Sequence, residues 1–286
     1  MKFPIRLWAG GVALFVGLVS PVGAQLDLRL ETPKSCYLQF APVPVTVSLK
    51  NLGGSSLSLD QAAGQPWLEF IVQSSDGLLV KAERPLSLDA VDLQPGETKN
   101  FSFDLAPCFL VREPGAYRVR ASVREPLGRT LLTEPLSFLI GRGEVIWSAP
   151  RGLGKEARVY SLIKFYEDPN AGLYLQVEVP GQNQVFPSRR LGPYLPIRKP
   201  TAEFDSEDHL HLLYGVESGQ VRLTVLNRDG NLLREETRQE TTERVQLKRG
   251  PDGMVDLVGG KVILPSYLRE KLSTLQARAG TAPRVD

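Results

Sequence analysis

The chain has 286 residues, 42% of them hydrophobic and 23% charged, with 34 basic and 32 acidic side chains and a formal net charge of +2. That length fits one large domain or two ordinary ones and is enough to bury a core without the help of a covalent bridge. The near balance of charge gives no basic surface of the kind that binds nucleic acid or a membrane.

At the N-terminus, Lys2 and Arg6 precede Leu7–Val19, 13 apolar residues in a row, and Pro21 follows. Val22-Gly23-Ala24 then offers small residues before Gln25. Positive start, short apolar run and small-residue cleavage site together predict a secretory signal peptide over 1–24. The run is shorter than the ~20 residues a spanning helix needs, and no later run is long enough, so no transmembrane segment is expected after cleavage. Cleavage removes two cations and brings basic and acidic residues to parity. The expected location is secreted or periplasmic. An oxidising compartment and an even count of two cysteines then predict a disulfide between Cys36 and Cys108. The loop it closes is about 70 residues long, which in the chain-entropy account stabilises by ~4 kcal/mol.

Residues 25–140 alternate with period two. Val43, Val45, Val47 and Leu49 alternate with polar residues or Pro, as do Phe101, Phe103 and Leu105, and Tyr117, Val119, Ala121 and Val123. Each run predicts a strand with one buried and one solvated face. Asn51–Gly54, Asp76-Gly77, Pro95-Gly96 and Pro114-Gly115 supply the turns, and short strands at this spacing predict a β-sandwich. The segments Tyr37–Asn51, Leu93–Thr98 and Glu113–Ala121 resemble strands of bacterial immunoglobulin-like or fibronectin-III-like secreted modules. The resemblance implies an immunoglobulin-like sandwich in which Tyr117 takes the tyrosine-corner role, and it says almost nothing about activity. Against that pattern both cysteines fall in loops at one end of the sandwich.

Gly141-Arg-Gly143 and Ser148–Gly154 are rich in Gly and Pro and predict a linker over 141–156, with Trp147 packing the junction. A second antiparallel β domain is expected over 157–264. Leu173, Leu175, Val177 and Val179 predict one strand, Leu210, Leu212 and Tyr214 another, and Val221, Leu223 and Val225 a third. Asp168–Val177 aligns with Asp205–Tyr214 at an offset of 37 residues, and Pro251–Gly259 echoes both. An acidic turn opening a strand at this period weakly resembles propeller-blade repeats, although the segment holds only about three partial units. From Pro265 onward, Ser266 as a cap and Leu268, Leu272 and Leu275 on one face predict a short helix, followed by a disordered tail.

The only histidines are His209 and His211, two apart and hence on one face of a strand, with Asp205 and Asp208 just before them. They are weak metal candidates, because the aliphatic residues define the opposite face as the buried one and leave the imidazoles in solvent. Tyr174 lies on the polar face of its strand and is the best candidate for an exposed ligand surface. The nucleophile elbow, zinc-protease helix and phosphate loop motifs are absent from the sequence. The reading is therefore a secreted, non-enzymatic interaction or scaffolding protein, without cofactor, that binds a protein or polysaccharide at the cell surface. The alternatives are a carbohydrate-active or other hydrolase using carboxylates of the second domain, and a protease inhibitor presenting a sandwich loop.

Overall fold

The computed structural model describes residues 26–61, 65–86, 88–126 and 128–263. The expected signal peptide and C-terminal helix lie outside the described residues. The protein is all-β: β1 (Leu26–Glu31), β2 (Cys36–Leu38), β3 (Pro44–Asn51), β4 (Leu57–Leu59), β5 (Leu68–Ser74), β6 (Val91–Leu93), β7 (Thr98–Asp104), β8 (Gly115–Arg124), β9 (Thr130–Leu132) and β10 (Leu136–Gly141) make the first unit. The second unit holds β11 (Glu144–Arg151), β12 (Arg158–Tyr166), β13 (Ala171–Val179), β14 (Gln184–Val185), β15 (Arg189–Pro193), β16 (Thr201–Phe204), β17 (Leu210–Glu217), β18 (Gln220–Leu226), β19 (Leu232–Gln239), β20 (Gln246–Arg249), β21 (Val255–Val258) and β22 (Lys261–Ile263).

In the first unit, one sheet has the order β1-β3-β7 and the other β2-β10-β8-β5, with β9 beside β8 and a small β4-β6 ladder between them in sequence. Alternation drives their packing. Val45, Val47 and Leu49 of β3 and Tyr117, Val119, Ala121 and Val123 of β8 all enter one apolar core, together with Leu68, Phe70 and Val72 of β5 and Phe138 and Ile140 of β10. The intervening β8 residues Arg118 and Arg120 stay exposed. Tyr117 Oη donates to the Glu113 carbonyl at 2.8 Å, which ties the start of β8 to the turn before it. Trp67 is buried and donates Nε1–H to the Asp89 carbonyl at 2.9 Å, so the indole nitrogen is not stranded in the core.

The predicted linker is in large part a strand. Residues 144–151 form β11, which pairs with β12 from Glu144↔Lys164 to Arg151↔Arg158 around a bulge at Ile146. Its Gly/Pro punctuation lies at the strand ends and at Pro150, positions an edge strand tolerates. Trp147 packs on the core of the second unit. The first sheet there has the order β11-β12-β13, with β14 and β15 both on β13, and the next has the order β16-β17-β18-β19-β22. The three repeat segments coincide with three hairpins, β12–β13, β16–β17 and β20–β21, whose turns close with Glu167 N–H to Asn170 O, Asp205 N–H to His209 O and Gly250 N–H to Met254 O.

These sheets stack. Leu162, Leu173, Leu175 and Val177 of the first sheet pack against Leu210, Leu212, Tyr214 and Leu226 of the second. The far face of the second sheet, with Leu213 and Val221, is covered by Val245 and by Leu247 and Leu257 of the β20–β21 hairpin. The far face of the first sheet is covered by the first unit: Ile163, Phe165 and Tyr174 pack with Leu38 and Ala41.

Candidate functional site

The junction of the two units is built around one carboxylate. Glu167 directly follows β12 and opens the tight turn to β13, and its side chain is only 7% exposed. Lys34, from the segment before β2, donates Nζ–H to Oε2 at 2.6 Å. Arg190 on β15 donates Nε–H to both oxygens, at 2.9 and 3.1 Å. Tyr174 donates its hydroxyl to Oε1. Gly172 makes room for this, since a Cβ there would fall inside the Glu167 carboxylate. Burial pushes the Glu167 carboxyl up, but the hydrogen bonds from Lys34, Tyr174 and Arg190 and the Arg190 charge outweigh it and hold it below the usual carboxylate range. Burial and the Glu167 carboxylate push the Tyr174 phenol far up, so it remains a donor.

A second clamp of the same type sits one hairpin along. Asp205, 1% exposed, accepts N–H from Glu207 at 2.9 Å and from His209 at 2.8 Å on Oδ1. Its Oδ2 meets His209 Nδ1 at 3.2 Å and His211 Nε2 at 2.9 Å. Burial opposes ionisation of Asp205, while the His211 bond, the two backbone donors and the His209 charge favour it, and the net shift is downward. The offset of 37 that aligns the repeats maps Tyr174 onto His211. In each hairpin a side chain at that position reaches back to a buried acid of the preceding turn.

Several expectations change here. Tyr174 is not an exposed platform. It is 4% exposed, because the first unit covers the polar-looking face of β13. The histidines do not both face solvent: His211 is 6% exposed, on the face of β17 that it shares with Leu213 and that is covered from the hairpin side, and His209, just before the strand, is half-buried. Asp208 turns away and pairs with Arg151 at 2.8 Å. Among the described residues no group of three or more His, Cys, Asp or Glu is arranged to hold a metal ion. The Cys36–Cys108 bridge is not formed; both are free thiols. Cys36 opens β2, paired parallel to β10, and packs in the cluster between the units, while Cys108 packs on the core of the first unit. Burial pushes both thiols up.

Beside the Glu167 clamp lies a cleft of about 440 Å³, walled by Pro33, Pro42, Pro44 and Pro187 with Tyr37 and Phe186. Lys34, Arg189 and Arg190 bring positive charge to it, and Asp229 is the acid in its lining. Further hydrogen bonds tie the two walls together, with Ser188 N–H to the Phe40 carbonyl at 2.8 Å and Ser188 Oγ–H to the Gln39 carbonyl at 3.0 Å. Sequence reasoning passed over Lys34, Glu167 and Arg190, which are 133 and 23 positions apart from one another through Glu167. One signal was present. The register Leu213↔Leu223 places Val221, Leu223 and Val225 on the face of the histidines, opposite Leu210, Leu212 and Tyr214. Two paired strands with apolar sets on opposite faces require cover on both sides.

No protein-family model and no curated protein matches the chain. Among solved structures it is similar to a CARDB domain of Pyrococcus furiosus, at 20% identity over 41% of this chain and 87% of that one, with a TM-score of 0.26. It is also similar to the sporulation control protein Spo0M of Bacillus subtilis, at 13% identity over 58% and 90%, TM-score 0.27. The E. coli chaperone DraB gives 10% identity over 73% and 96%, TM-score 0.26. TM-scores this low carry neither the fold nor the function of those proteins to this chain. No helix among the described residues is long and apolar enough to cross a membrane.

Proposed function

We propose that this is an exported, non-enzymatic binding protein whose ligand-facing surface is the cleft between its two units. The observation that carries the reading is that cleft itself: rigid proline and aromatic walls, two units bridged by a buried ion cluster, and positive charge at the rim. Preformed apolar clefts with a few placed polar groups are where small ligands and short chain segments bind. Export rests on the signal-peptide pattern of residues 1–24, and places the ligand at the cell surface or in the extracytoplasmic space.

The first unit is an immunoglobulin-like sandwich in this reading. Its support is the order β1-β3-β7 opposite β2-β10-β8-β5, the parallel pairing of β2 with β10 and the Tyr117 bond to the upstream backbone. The second unit is a stack of blade-like sheets, supported by the three hairpins at the repeat positions. Glu167, the buried acid nearest the cleft, favours binding over the carboxylate-hydrolase alternative. Three side chains occupy its oxygens and its proton is held off, so it has none to donate.

The test is a screen of peptide and glycan libraries against the full chain and against Asn231→Trp, which fills the cleft mouth from an exposed position. The expected result is a ligand held by the wild type and lost in the variant, with no product released. Turnover of a library member, or binding indifferent to Asn231→Trp, would contradict the proposal.

A further inference from the structure

We infer that the cleft takes the carboxylate-terminated end of a peptide, its last apolar side chain between the proline and aromatic walls and its carboxylate on Arg189. This rests on the reading of the cleft as the ligand surface, and goes on from it to the chemistry of the ligand.

Charge comes first. Of the ionisable side chains lining the cleft, Asp229 is the acid, and it is already paired with Arg158 at 2.7 Å. Lys34 spends its ammonium on Glu167. Arg190 spends Nε–H on Glu167, and Arg189 spends Nε–H on the Gly230 carbonyl at 3.0 Å. Among the described residues, the terminal nitrogens of Arg189 meet no hydrogen-bond acceptor, whereas Arg190 also bonds Tyr174. The Arg189 fork is thus anchored at one edge and open at the other. An anchored guanidinium with a free N–H pair is suited to a planar carboxylate, and little side-chain entropy is lost on binding.

The uncharged lining decides between ligand classes. Tyr174 Oη is committed to Glu167, Tyr37 Oη to Thr32 and Ser188 Oγ to the Gln39 carbonyl. A sugar acid brings several hydroxyls that need partners, and beside these committed groups the uncharged lining offers only the Asn231 side chain. An apolar side chain needs none, and the prolines with Tyr37 and Phe186 offer it flat, rigid walls. A volume of about 440 Å³ accommodates one or two residues.

The experiment is calorimetric titration of the full chain with N-acetyl-Pro-Phe bearing a free carboxylate, with its C-terminal amide, and with glucuronate. The acid is expected to bind, and the amide to bind more weakly by about tenfold or more, the scale of one lost charge-assisted pair. Arg189→Gln should bring the acid down to the level of the amide. Arg189→Lys, which keeps the charge but not the fork, should recover only part of the loss. Circular dichroism of each variant separates lost binding from lost folding. Equal binding of acid and amide, both blocked by Asn231→Trp, would overturn the carboxylate assignment and leave the cleft standing as the ligand surface. Tighter binding of glucuronate than of the peptide acid would overturn the peptide assignment in the same way. Binding of the acid that Asn231→Trp leaves untouched would overturn both readings. Failure of all three probes at millimolar concentration would overturn this inference, while the library screen decides separately on the cleft.

Discussion

β8 in the first unit and β13 in the second carry similar apolar alternation, yet they live in different surroundings. In β8 the apolar residues point into the core and Arg118 and Arg120 point into water. In β13 Leu173, Leu175 and Val177 face the neighbouring sheet, while Gln176 and Tyr174 are also buried, Tyr174 beneath the first unit. An alternating pattern therefore reports which residues are apolar, and not whether the polar face is wet. A polar residue survives on a covered face when its polar atoms find partners there. Tyr174 does so on Glu167 and Thr224 on Tyr214 Oη at 3.0 Å, while His211 does so through Nε2 on Asp205 and leaves its buried Nδ1 without a partner among the described residues.

This contrast is open to attack by substitution. The largest effect is expected from Tyr174→Ala, which removes a buried ring and a donor to a buried acid. A loss of about 4 kcal/mol in denaturant unfolding is expected. Glu167→Gln keeps the shape and removes the charge that Lys34 and Arg190 surround, with an expected loss of about 2 kcal/mol, moderated by the partial exposure of both cations. Acid titration comes next. Glu167 and Asp205 both have lowered carboxyl pKa values in the folded protein. Protonation therefore favours the unfolded chain. Their contribution is fully present above the unfolded carboxylate values of about 4 and is lost as pH falls through the folded ones. The thermal midpoint should fall steeply below pH ~4, and less steeply in Glu167→Gln. In the first unit, Tyr117→Phe removes one hydrogen bond and should cost about 1 kcal/mol. Arg118→Ala, on the wet face of β8, should stay within about 0.5 kcal/mol.

The first unit was the more legible half. Its strands obey a one-sided rule, so Val45, Val47, Leu49 and Tyr117 could be assigned to a core from alternation alone. In the second unit the strands were legible and their cover was not, because it comes from residues far away in sequence: Leu38 and Ala41 over β13, Leu247 and Leu257 over β17. Glu167, Lys34 and Arg190 share no spacing rule, and their meeting is a product of the stacked sheets. The bridge expected between Cys36 and Cys108 followed from compartment and parity, neither of which carries geometry. The segment 144–151 was read as linker because Gly and Pro punctuate it, and those residues are equally at home around an edge strand.

The most direct test is a double-mutant cycle on Lys34→Ala and Glu167→Gln, read by denaturant unfolding of the full chain. Lys34 belongs to the first unit and Glu167 to the second, and their 2.6 Å pair crosses the junction that forms the cleft. A coupling energy of about 1 kcal/mol or more is predicted, as for residues in direct contact. Additive losses, with coupling near zero, would mean that the first unit does not cover β13 and that the cleft between the units is not part of the folded protein.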